Sequence, residues 1–589
     1  MRSFLLTTLA LPSVFAKAQD AYDYLIVGGG TCGLVLANRL TESPNVTVAV
    51  IEAGDSVKDS YNVTQIENYF VNLGTSIDWA YPSVPQEYTD GKVLTFNAGK
   101  ALGGTSTING ATYVRASRAQ IDAWEDLGNE GWNWDSLWPY YLKSEHFQPP
   151  TPDLVAKGAE YEASAHGTGG HVGVGWSNYT MGGNAHSVIN QTYQNLGIPY
   201  NRDQSTGDLH GFSVFPSTID SKLEIRSDAA RSYWYSIESR PNLHLFTNTL
   251  AEKIQWSALK PQPKTSKLAA SGVQVRPISG GDSRTITARK EVILSAGSHK
   301  SPGMLERSGF GNPNILSKMG IPLKYNLPAV GDGLQDQPNV VILANASTNW
   351  TGYTPYVTYP TASDLFGANT SNVARHVSDQ IPAYAATIAS KSNNATTADV
   401  VQKQLRIQVD LIFNKSIPVG EILTVPSETQ ILAAFWLLLP FSRGSTHISS
   451  TNTSDAPLIS PNFFMLDWDA IGQTAIANLV RRAFHTGPLG EYTGADITPN
   501  TTVVPNGAGV EQWLPYFKQS YTPNNHPVST CAMMSHELGG VVDPELVVYG
   551  TQNVRVVDAS VLPFQINGHL TSTLYAVAER ASDLIKESA

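Results

Sequence analysis

Residues 22–33 read Tyr22-Asp23-Tyr24-Leu25-Ile26-Val27-Gly28-Gly29-Gly30-Thr31-Cys32-Gly33, and this stretch decides the fold. Its apolar half, Tyr22 to Val27, predicts a buried strand, and the run from Gly33 to Leu40 predicts a helix after it. Val46 to Ile51 predicts a second buried strand. The order therefore indicates a strand–turn–helix–strand unit and an α/β fold with a parallel sheet.

The glycines after the first strand form the pattern Gly28-x-Gly30-x-x-Gly33. The first permits a tight turn, the second lets the backbone approach a pyrophosphate, and the third allows close packing of helix on strand. The helix N-terminus also favours phosphate charge. Glu52 ends the second strand about 20 residues on, where an acid binds ribose hydroxyls. The pattern predicts a dinucleotide site; the alternative is a glycine-rich turn with a surface glutamate.

Later segments resemble further pieces of the same unit. Buried strands are predicted at Glu291 to Leu294 and Val554 to Val557, a hairpin loop at Pro261 to Ser266, and an amphipathic helix at Leu570 to Lys586. The acid at Glu52 suits an unphosphorylated ribose, which indicates FAD or NAD rather than NADP. Segments near both ends of the chain would hold the cofactor. This arrangement favours FAD, because it suits a long, buried flavin better than an exchangeable nicotinamide. Because these segments are scattered, we expect a discontinuous cofactor domain with a substrate domain inserted into it.

Length and composition limit the classes of function. The chain has 589 residues, of which 41% are hydrophobic and 15% charged, and this length predicts several domains. Its net charge of -11 disfavours nucleic acid and anionic membranes as partners. No run reaches the ~18 apolar residues of a membrane span. No metal site is predicted. The two cysteines, Cys32 and Cys531, are far apart in sequence and are expected to be free thiols.

The N-terminus predicts secretion. Arg2 supplies a positive charge, Phe4 to Phe15 is mostly apolar, and Ala16-Lys17-Ala18 fits a cleavage site. Residues 1–18 are therefore predicted to be a signal peptide; the alternative is a buried N-terminal helix. N-glycosylation sequons agree with the secretory route and begin at Asn45, Asn62, Asn178, Asn190, Asn345, Asn349, Asn369, Asn394, Asn414, Asn452 and Asn500.

Two longer motifs resemble the signature regions of the glucose-methanol-choline (GMC) oxidoreductases. The first is Gly99-Lys100-Ala101-Leu102-Gly103-Gly104-Thr105-Ser106-Thr107-Ile108-Asn109-Gly110, and the second starts at Gly297-Ser298-His299-Lys300-Ser301-Pro302 and continues to Gly311. The resemblance runs from Tyr22 to Lys586 and is greatest to fungal FAD-dependent glucose dehydrogenases and glucose oxidases.

This resemblance implies a Rossmann-like domain that binds FAD without a covalent bond, below a substrate domain built on an antiparallel sheet and helices. The implied FAD-binding domain comprises residues 19–150, 220–335 and 530–589, and the substrate-binding domain comprises residues 151–219 and 336–529. The disulfide of the glucose oxidases is expected to be absent, since Ala165 stands where one partner would be.

The resemblance also implies the binding residues, position by position. The implied cofactor-binding residues are Gly28, Gly30, Gly33, Glu52, Gly99, Gly104, Thr105, Asn109, Leu250, Asp558 and Gly568. Gly568 and His569 would face the isoalloxazine. The implied substrate-binding residues are Asn524, Trp436 and Thr522.

Two histidines are the predicted chemical centre. Alcohol oxidation transfers a hydride to flavin N5 and needs a base near neutral pKa for the hydroxyl proton, a task suited to imidazole. His526 and His569 fill both catalytic positions of the family. We predict His526 as the base, His569 as its partner and Glu421 as the acid that orients one histidine. The alternatives are structural histidines and a surface glutamate.

Two positions depart from the sugar-oxidising relatives. Thr522 stands where they carry an arginine, and Ala434 where they often carry an acid. Those groups pair with the hydroxyls of a polyol, so their loss indicates a less polar primary, allylic or aryl alcohol, or a secondary metabolite. A sugar (glucose) dehydrogenase, a non-redox lyase or cyclase of the same fold, and a binding protein with an inactive site are the alternatives. The sequence leaves open whether the electron acceptor is O2 or quinone-like, and whether the protein is a monomer or a homodimer.

Overall fold

The computed structural model describes residues 21–257 and 267–588. The predicted signal peptide and the predicted hairpin loop at Pro261 to Ser266 lie outside the described residues. Within the described part, two sheets of seven strands each organise the chain, and the predicted α/β class is confirmed.

The first sheet is built around the N-terminal strand Ala21–Val27. This strand pairs in parallel with Val48–Ile51 on one side and with Arg284–Leu294 on the other. Every residue of Val48–Ile51 is buried, as expected for a strand covered on both faces. The remaining strands of this sheet are Leu243–Phe246, Thr249–Trp256, Ala270–Pro277 and Val554–Val556.

The predicted nucleotide-type unit is confirmed with small differences at its ends. The first helix spans Thr31–Leu40 and so begins at Thr31 rather than Gly33, because the extended backbone of Gly30 caps it. The second strand begins at Val48 rather than Val46. The last helix, Leu570–Ser588, packs against the first, and the ion pair between Arg39 and Glu579 at 2.7 Å joins them.

The second sheet is antiparallel, as the resemblance implies. Its strands, in spatial order, are Thr493–Thr498, Pro338–Ala346, Gln430–Leu437, Gly420–Pro426, Tyr356–Tyr359 and Gly211–Val214, with Thr522–Pro523 paired to the start of Pro338–Ala346. Exposure alternates along the central strands: Val340 and Ile342 are buried, while Asn339 and Val341 are partly exposed. The buried face packs against the helix Asp467–His485, which leaves the other face free to line a cavity.

Smaller elements surround the two sheets. A four-stranded sheet comprises Glu145–Phe147, Val172–Gly175, Ser217–Asp220 and Ile225–Arg226. Short ladders are formed by Tyr81–Pro82 with Thr95–Phe96, by Phe310–Gly311 with Tyr325–Asn326, and by Asp332–Leu334, Gly444–His447 and Leu458–Ser460. The longer of the other helices are Trp134–Ser144, Ala185–Asn195, Thr370–Lys391, Ala398–Val409 and Val510–Ser520. The shorter ones are Tyr61–Thr64, Arg118–Asp122, Pro152–Ala156, Ala229–Tyr233, Ser301–Arg307, Pro313–Lys318 and Ala362–Phe366.

Three further expectations concern the chain as a whole. Among the described residues, Cys32 and Cys531 are buried and form no disulfide. None of the described helices combines the length and the hydropathy that crossing a membrane requires. The domain boundaries stay a prediction.

Candidate active site

A cavity of about 1170 Å³ is lined by residues of both sheets. The first sheet contributes the glycine-rich turn and Glu52, and the second contributes the partly exposed side chains of its free face. Most of the residues implied by the resemblance meet in its wall, namely Gly28, Gly30, Glu52, Gly99, Gly104, Thr105, Asn109, Leu250, Asp558, Asn524, Trp436, Thr522, His526 and His569.

The glycine-rich turn is packed too closely for a side chain at two of its glycines. Gly28 has φ +107°, and a Cβ on it would lie 2.3 Å from the carbonyl oxygen of Ser295. A Cβ on Gly33 would lie 2.1 Å from the carbonyl oxygen of Gly28, so Gly33 permits helix–strand packing without lining the cavity. The helix Thr31–Leu40 has its N-terminus in the cavity wall and no acidic residue in its first turn. This end of the helix therefore favours an anion.

Two acids at strand ends are held by backbone and hydroxyl donors. Glu52 accepts hydrogen bonds from the backbone N–H groups of Gly29 and Gly54 at 2.8 and 2.7 Å, and burial raises its pKa to about 6. Asp558 accepts from the backbone N–H of Gly297 at 2.9 Å, and burial raises its pKa as well. Glu52 and Asp558 both belong to the cavity wall.

His299 also lines the cavity, and sequence reasoning did not select it. Its side chain is buried, and neither ring nitrogen has a hydrogen-bond partner among the described residues. Burial lowers its pKa to about 3, so the ring is neutral and offers one donor and one acceptor. A buried, unpartnered polar ring in the wall fits a cavity that holds a large polar group such as FAD. The sequence feature that points to His299 is its position in the second signature motif.

The two predicted histidines lie together at the cavity. Their ring centroids are 5.2 Å apart and their planes meet at 83°. His569 Nε2 lies 2.7 Å from Glu421 Oε1, and Glu421 is 1% exposed on the strand Gly420–Pro426. Since a carboxylate only accepts hydrogen bonds, the proton of this contact lies on Nε2. Trp436, paired with Glu421 across the strands, stands edge-on to His569.

His526 is held by a different set of groups. Its backbone N–H donates to Asp336 Oδ1 at 2.9 Å, and its carbonyl accepts from Gln565 Nε2 at 2.9 Å. Its Nδ1 lies 2.9 Å from Gln337 Oε1 and 3.0 Å from Asn524 Nδ2. Burial, and then the neighbouring His569, hold the pKa of His526 well below 6.5. A neutral imidazole at the cavity is able to accept a proton.

The face of the second sheet that lines the cavity is mainly apolar. Val341 and Leu423 both pair with Ala434 in the ladder, which places three apolar side chains side by side. Leu432 and Val425 extend this face, and Asn339 adds an amide at its edge. The alternation of exposure along these strands shows which side chains face the cavity. Sequence analysis had selected only Ala434 from this group.

Three implied residues, Gly33, Glu421 and Gly568, lie outside the cavity wall. Glu421 stands behind His569 and reaches the cavity only through it. Gly568 is not among the lining residues, and its expected position facing the cofactor stays a prediction. A Cβ on Gly568 would lie 2.4 Å from the carbonyl oxygen of Arg115, so this glycine permits close packing of the loop before the last helix.

Comparisons with known proteins agree with this geometry. The GMC oxidoreductase models match residues 22–339 and 440–578. The glucose oxidase-like protein fsoC of Humicola fuscoatra is 43% identical over 577 residues, which cover 98% of this chain and 97% of that protein.

Two solved structures are similar over nearly the whole chain. An FAD-dependent oxidoreductase from Chaetomium thermophilum has a TM-score of 0.87 at 30% identity, covering 96% of this chain and 99% of its own. A fungal aryl-alcohol oxidase has a TM-score of 0.83 at 27% identity, covering 97% and 99%. The chain therefore belongs to the GMC oxidoreductase family and is an FAD-dependent oxidoreductase, acting on a small-molecule substrate with an electron acceptor.

Proposed function

We propose that this protein oxidises the CH–OH group of a less polar alcohol to a carbonyl, with His526 as the base. The observation that carries this proposal is the neutral His526 beside His569, under a mainly apolar sheet face. Bound FAD supplies the hydride acceptor at N5. The residues Gly28, Gly30, Glu52, Gly99, Gly104, Thr105, Asn109, Leu250 and Asp558 would hold it.

The protein supplies the proton chemistry. His526 is neutral because burial disfavours its charged form, and it accepts the hydroxyl proton as the alcohol is oxidised. Glu421 accepts a hydrogen bond from His569 Nε2 and so fixes the ring of the second histidine beside the first. We assign His569 as the partner that hydrogen-bonds the substrate hydroxyl or shares its proton.

The cavity wall supports a less polar substrate. A polyol would bring several hydroxyls against Val341, Leu423 and Ala434, none of which carries a hydrogen-bonding side chain. Each buried hydroxyl without a partner costs roughly 1–3 kcal/mol. The amides of Asn339 and Asn524 leave room for a small number of polar contacts, which suits a primary, allylic or aryl alcohol, or a secondary metabolite.

The relatives support both candidate substrates. The similarity to an aryl-alcohol oxidase favours the alcohol proposed here, whereas the similarity to a glucose oxidase-like protein favours a sugar. Glucose is therefore kept as the second candidate.

An anaerobic screen of the purified holoprotein decides between these substrates. Aryl and allylic alcohols, aliphatic alcohols of matched size and glucose are mixed with the protein, and bleaching of the flavin absorbance is followed. We expect aryl or allylic alcohols to reduce the flavin with the highest ratio of rate to half-saturating concentration. Preferential reduction by glucose would overturn the substrate assignment, and product formed without any bleaching would indicate a non-redox reaction.

We also propose that the protein is secreted and N-glycosylated. The asparagines of the sequons are exposed except Asn190, which is partly exposed, as glycan attachment requires. Expression in a fungal host is expected to yield protein in the medium that loses mass when treated with a peptide N-glycosidase. Protein that stays in the cells without glycans would contradict this.

The electron acceptor is proposed to be O2 or a quinone-like compound. Release of peroxide in air during alcohol oxidation would identify O2 as an acceptor, and its absence would favour the quinone-like compound.

A further inference from the structure

Gln337 lies behind His526, outside the cavity wall, and is fully buried. Its Oε1 is 2.9 Å from His526 Nδ1 and 3.1 Å from Asn524 Nδ2. Asn524 Nδ2 in turn lies 3.0 Å from His526 Nδ1. These three polar atoms form a nearly equilateral triangle. The positions of the hydrogens within it determine which nitrogen of His526 carries no proton and is free to act as a base.

The orientation of the Gln337 amide is fixed from its far end. Its Nε2 donates to the backbone carbonyl oxygen of Leu438 at 3.1 Å. A carbonyl oxygen only accepts hydrogen bonds, so the amide nitrogen has to face Leu438 and the amide oxygen has to face His526. The orientation of the Asn524 amide follows from that of Gln337, because the Asn524 nitrogen has to face Gln337 Oε1. The Asn524 Oδ1 then accepts a hydrogen bond from Asn339 Nδ2 at 3.0 Å.

Two protonation patterns of the triangle are conceivable. In one, His526 Nδ1–H donates to Gln337 Oε1; in the other, Nδ1 accepts a hydrogen from Asn524. The second pattern needs Asn524 Nδ2 to direct one hydrogen at Oε1 and one at Nδ1. These two targets subtend about 60° at Nδ2, whereas the N–H bonds of an amide diverge by about 120°. It also leaves Oε1 and Nδ1 as two acceptors 2.9 Å apart with no hydrogen between them.

We infer that Gln337 is the positioning residue that keeps the proton of His526 on Nδ1, so that Nε2 is the atom that takes the substrate proton. The inference rests on the proposed role of His526 as base. Both donors of the triangle then share Gln337 Oε1, which has two lone pairs. Without that oxygen, Asn524 Nδ2 becomes the nearest partner of Nδ1, and the imidazole proton moves to Nε2, where it blocks the base.

The experiment compares variants of the full-length holoprotein by anaerobic flavin reduction at saturating alcohol. Gln337→Met removes the acceptor at similar volume, and we expect the rate to fall roughly 10- to 100-fold, the effect of one lost buried hydrogen bond. In the double variant Gln337→Met/Asn524→Asp, an aspartate oxygen accepts the Nδ1 proton instead. We expect this variant to reduce the flavin faster than Gln337→Met does, a gain that a purely structural role of Gln337 does not predict.

Gln337→Glu keeps an acceptor at Nδ1 and, in its ionised form, adds a negative charge beside the imidazole. That charge stabilises the protonated ring, so we expect the acidic limb of the rate–pH profile to move up by roughly one unit or more. The other titratable groups around His526 are His569, held by Glu421, and Asp336, whose Oδ1 accepts from the backbone of His526. These groups are the same in every variant, so a shift between variants reports the contact at Nδ1.

The outcomes separate this inference from the proposed function. Fast flavin reduction by His526→Ala overturns the assignment of His526 as the base. If His526→Ala is inactive while Gln337→Met stays close to the parent rate, the inference fails and the base stands. If Gln337→Met fails to retain FAD, the rate–pH profile of Gln337→Glu is compared with that of the parent protein. An acidic limb at the same pH in both proteins overturns the inference.

Discussion

The imidazole rings of His526 and His569 stand almost perpendicular to each other, with centroids 5.2 Å apart. Each ring is anchored from behind by a different kind of group: His569 by the buried carboxylate of Glu421, and His526 by the amide of Gln337. A carboxylate holds a proton on the nitrogen it contacts more strongly than an amide does. This asymmetry is the structural reason for assigning different roles to the two histidines.

Replacing Glu421 tests the anchor of His569. Glu421→Gln keeps the shape but loses the charge-assisted hydrogen bond at 2.7 Å, so we expect the rate of flavin reduction to fall roughly 10- to 100-fold with FAD retained. Glu428→Gln, at an exposed acid in the turn after the same strand, is the matched control and is expected to keep the parent rate. Equal rates in both variants would remove Glu421 from the mechanism.

The low pKa of His526 predicts how activity depends on pH. A base works when deprotonated, so activity is present above its pKa and is lost as the pH falls through it. Because burial and His569 hold this pKa well below 6.5, we expect kcat/KM to stay high at pH 6.5 and to decline only below it. An acidic limb at or above pH 6.5 would contradict this assignment.

Asp336 provides the control for this profile. Burial raises its pKa to about 7, and it contacts the backbone of His526. Asp336→Asn preserves the accepting oxygen and removes the titration, so the acidic limb is expected to remain where it is in the parent protein.

Ala434 tests the polarity of the cavity wall. An aspartate there would face Val341 and Leu423 without a partner, so we expect Ala434→Asp to raise KM for an aryl alcohol by roughly tenfold or more. Ala434→Asn, which matches the shape without the charge, is expected to have a smaller effect. An unchanged KM in the aspartate variant would show that the substrate does not contact this face.

Gly33 tests the packing that places the cofactor turn. The Cβ of Gly33→Ala would overlap the carbonyl oxygen of Gly28, at 2.1 Å, and that backbone cannot retreat without moving the turn. We expect a loss of stability of roughly 1–3 kcal/mol, seen as a lower Tm, together with reduced FAD content. Gly169→Ala, where an added Cβ meets no atom within 4 Å, is the control. Unchanged Tm and FAD content in Gly33→Ala would contradict the packing argument.

The sequence predicts well those features that depend on local pattern. The strand before Gly28, the helix after Gly30 and the position of Glu52 follow from short-range periodicity and turn chemistry, and the structure has them within a few residues. The resemblance implies that Glu421 orients one of the two histidines, and the structure places it beside His569, although these residues are far apart in sequence.

The remaining features depend on tertiary contacts. Gln337 has no motif of its own, and its importance comes from its position just before the strand Pro338–Ala346, where its side chain reaches His526. His299 is conspicuous only once burial leaves its nitrogens without partners. Gly568 has a packing role that the resemblance does not convey, because a Cβ there would lie 2.4 Å from the carbonyl oxygen of Arg115. The apolar face beside Ala434 likewise requires the register of three strands.

The role of His526 as the base is tested by anaerobic mixing of the holoprotein with its best alcohol, in the parent and in His526→Ala at matched FAD content. We expect the parent flavin to bleach and the variant to keep its FAD, with reduction slower by roughly 10²- to 10⁴-fold. Flavin reduction in His526→Ala at a rate close to that of the parent would show that His526 is not the base.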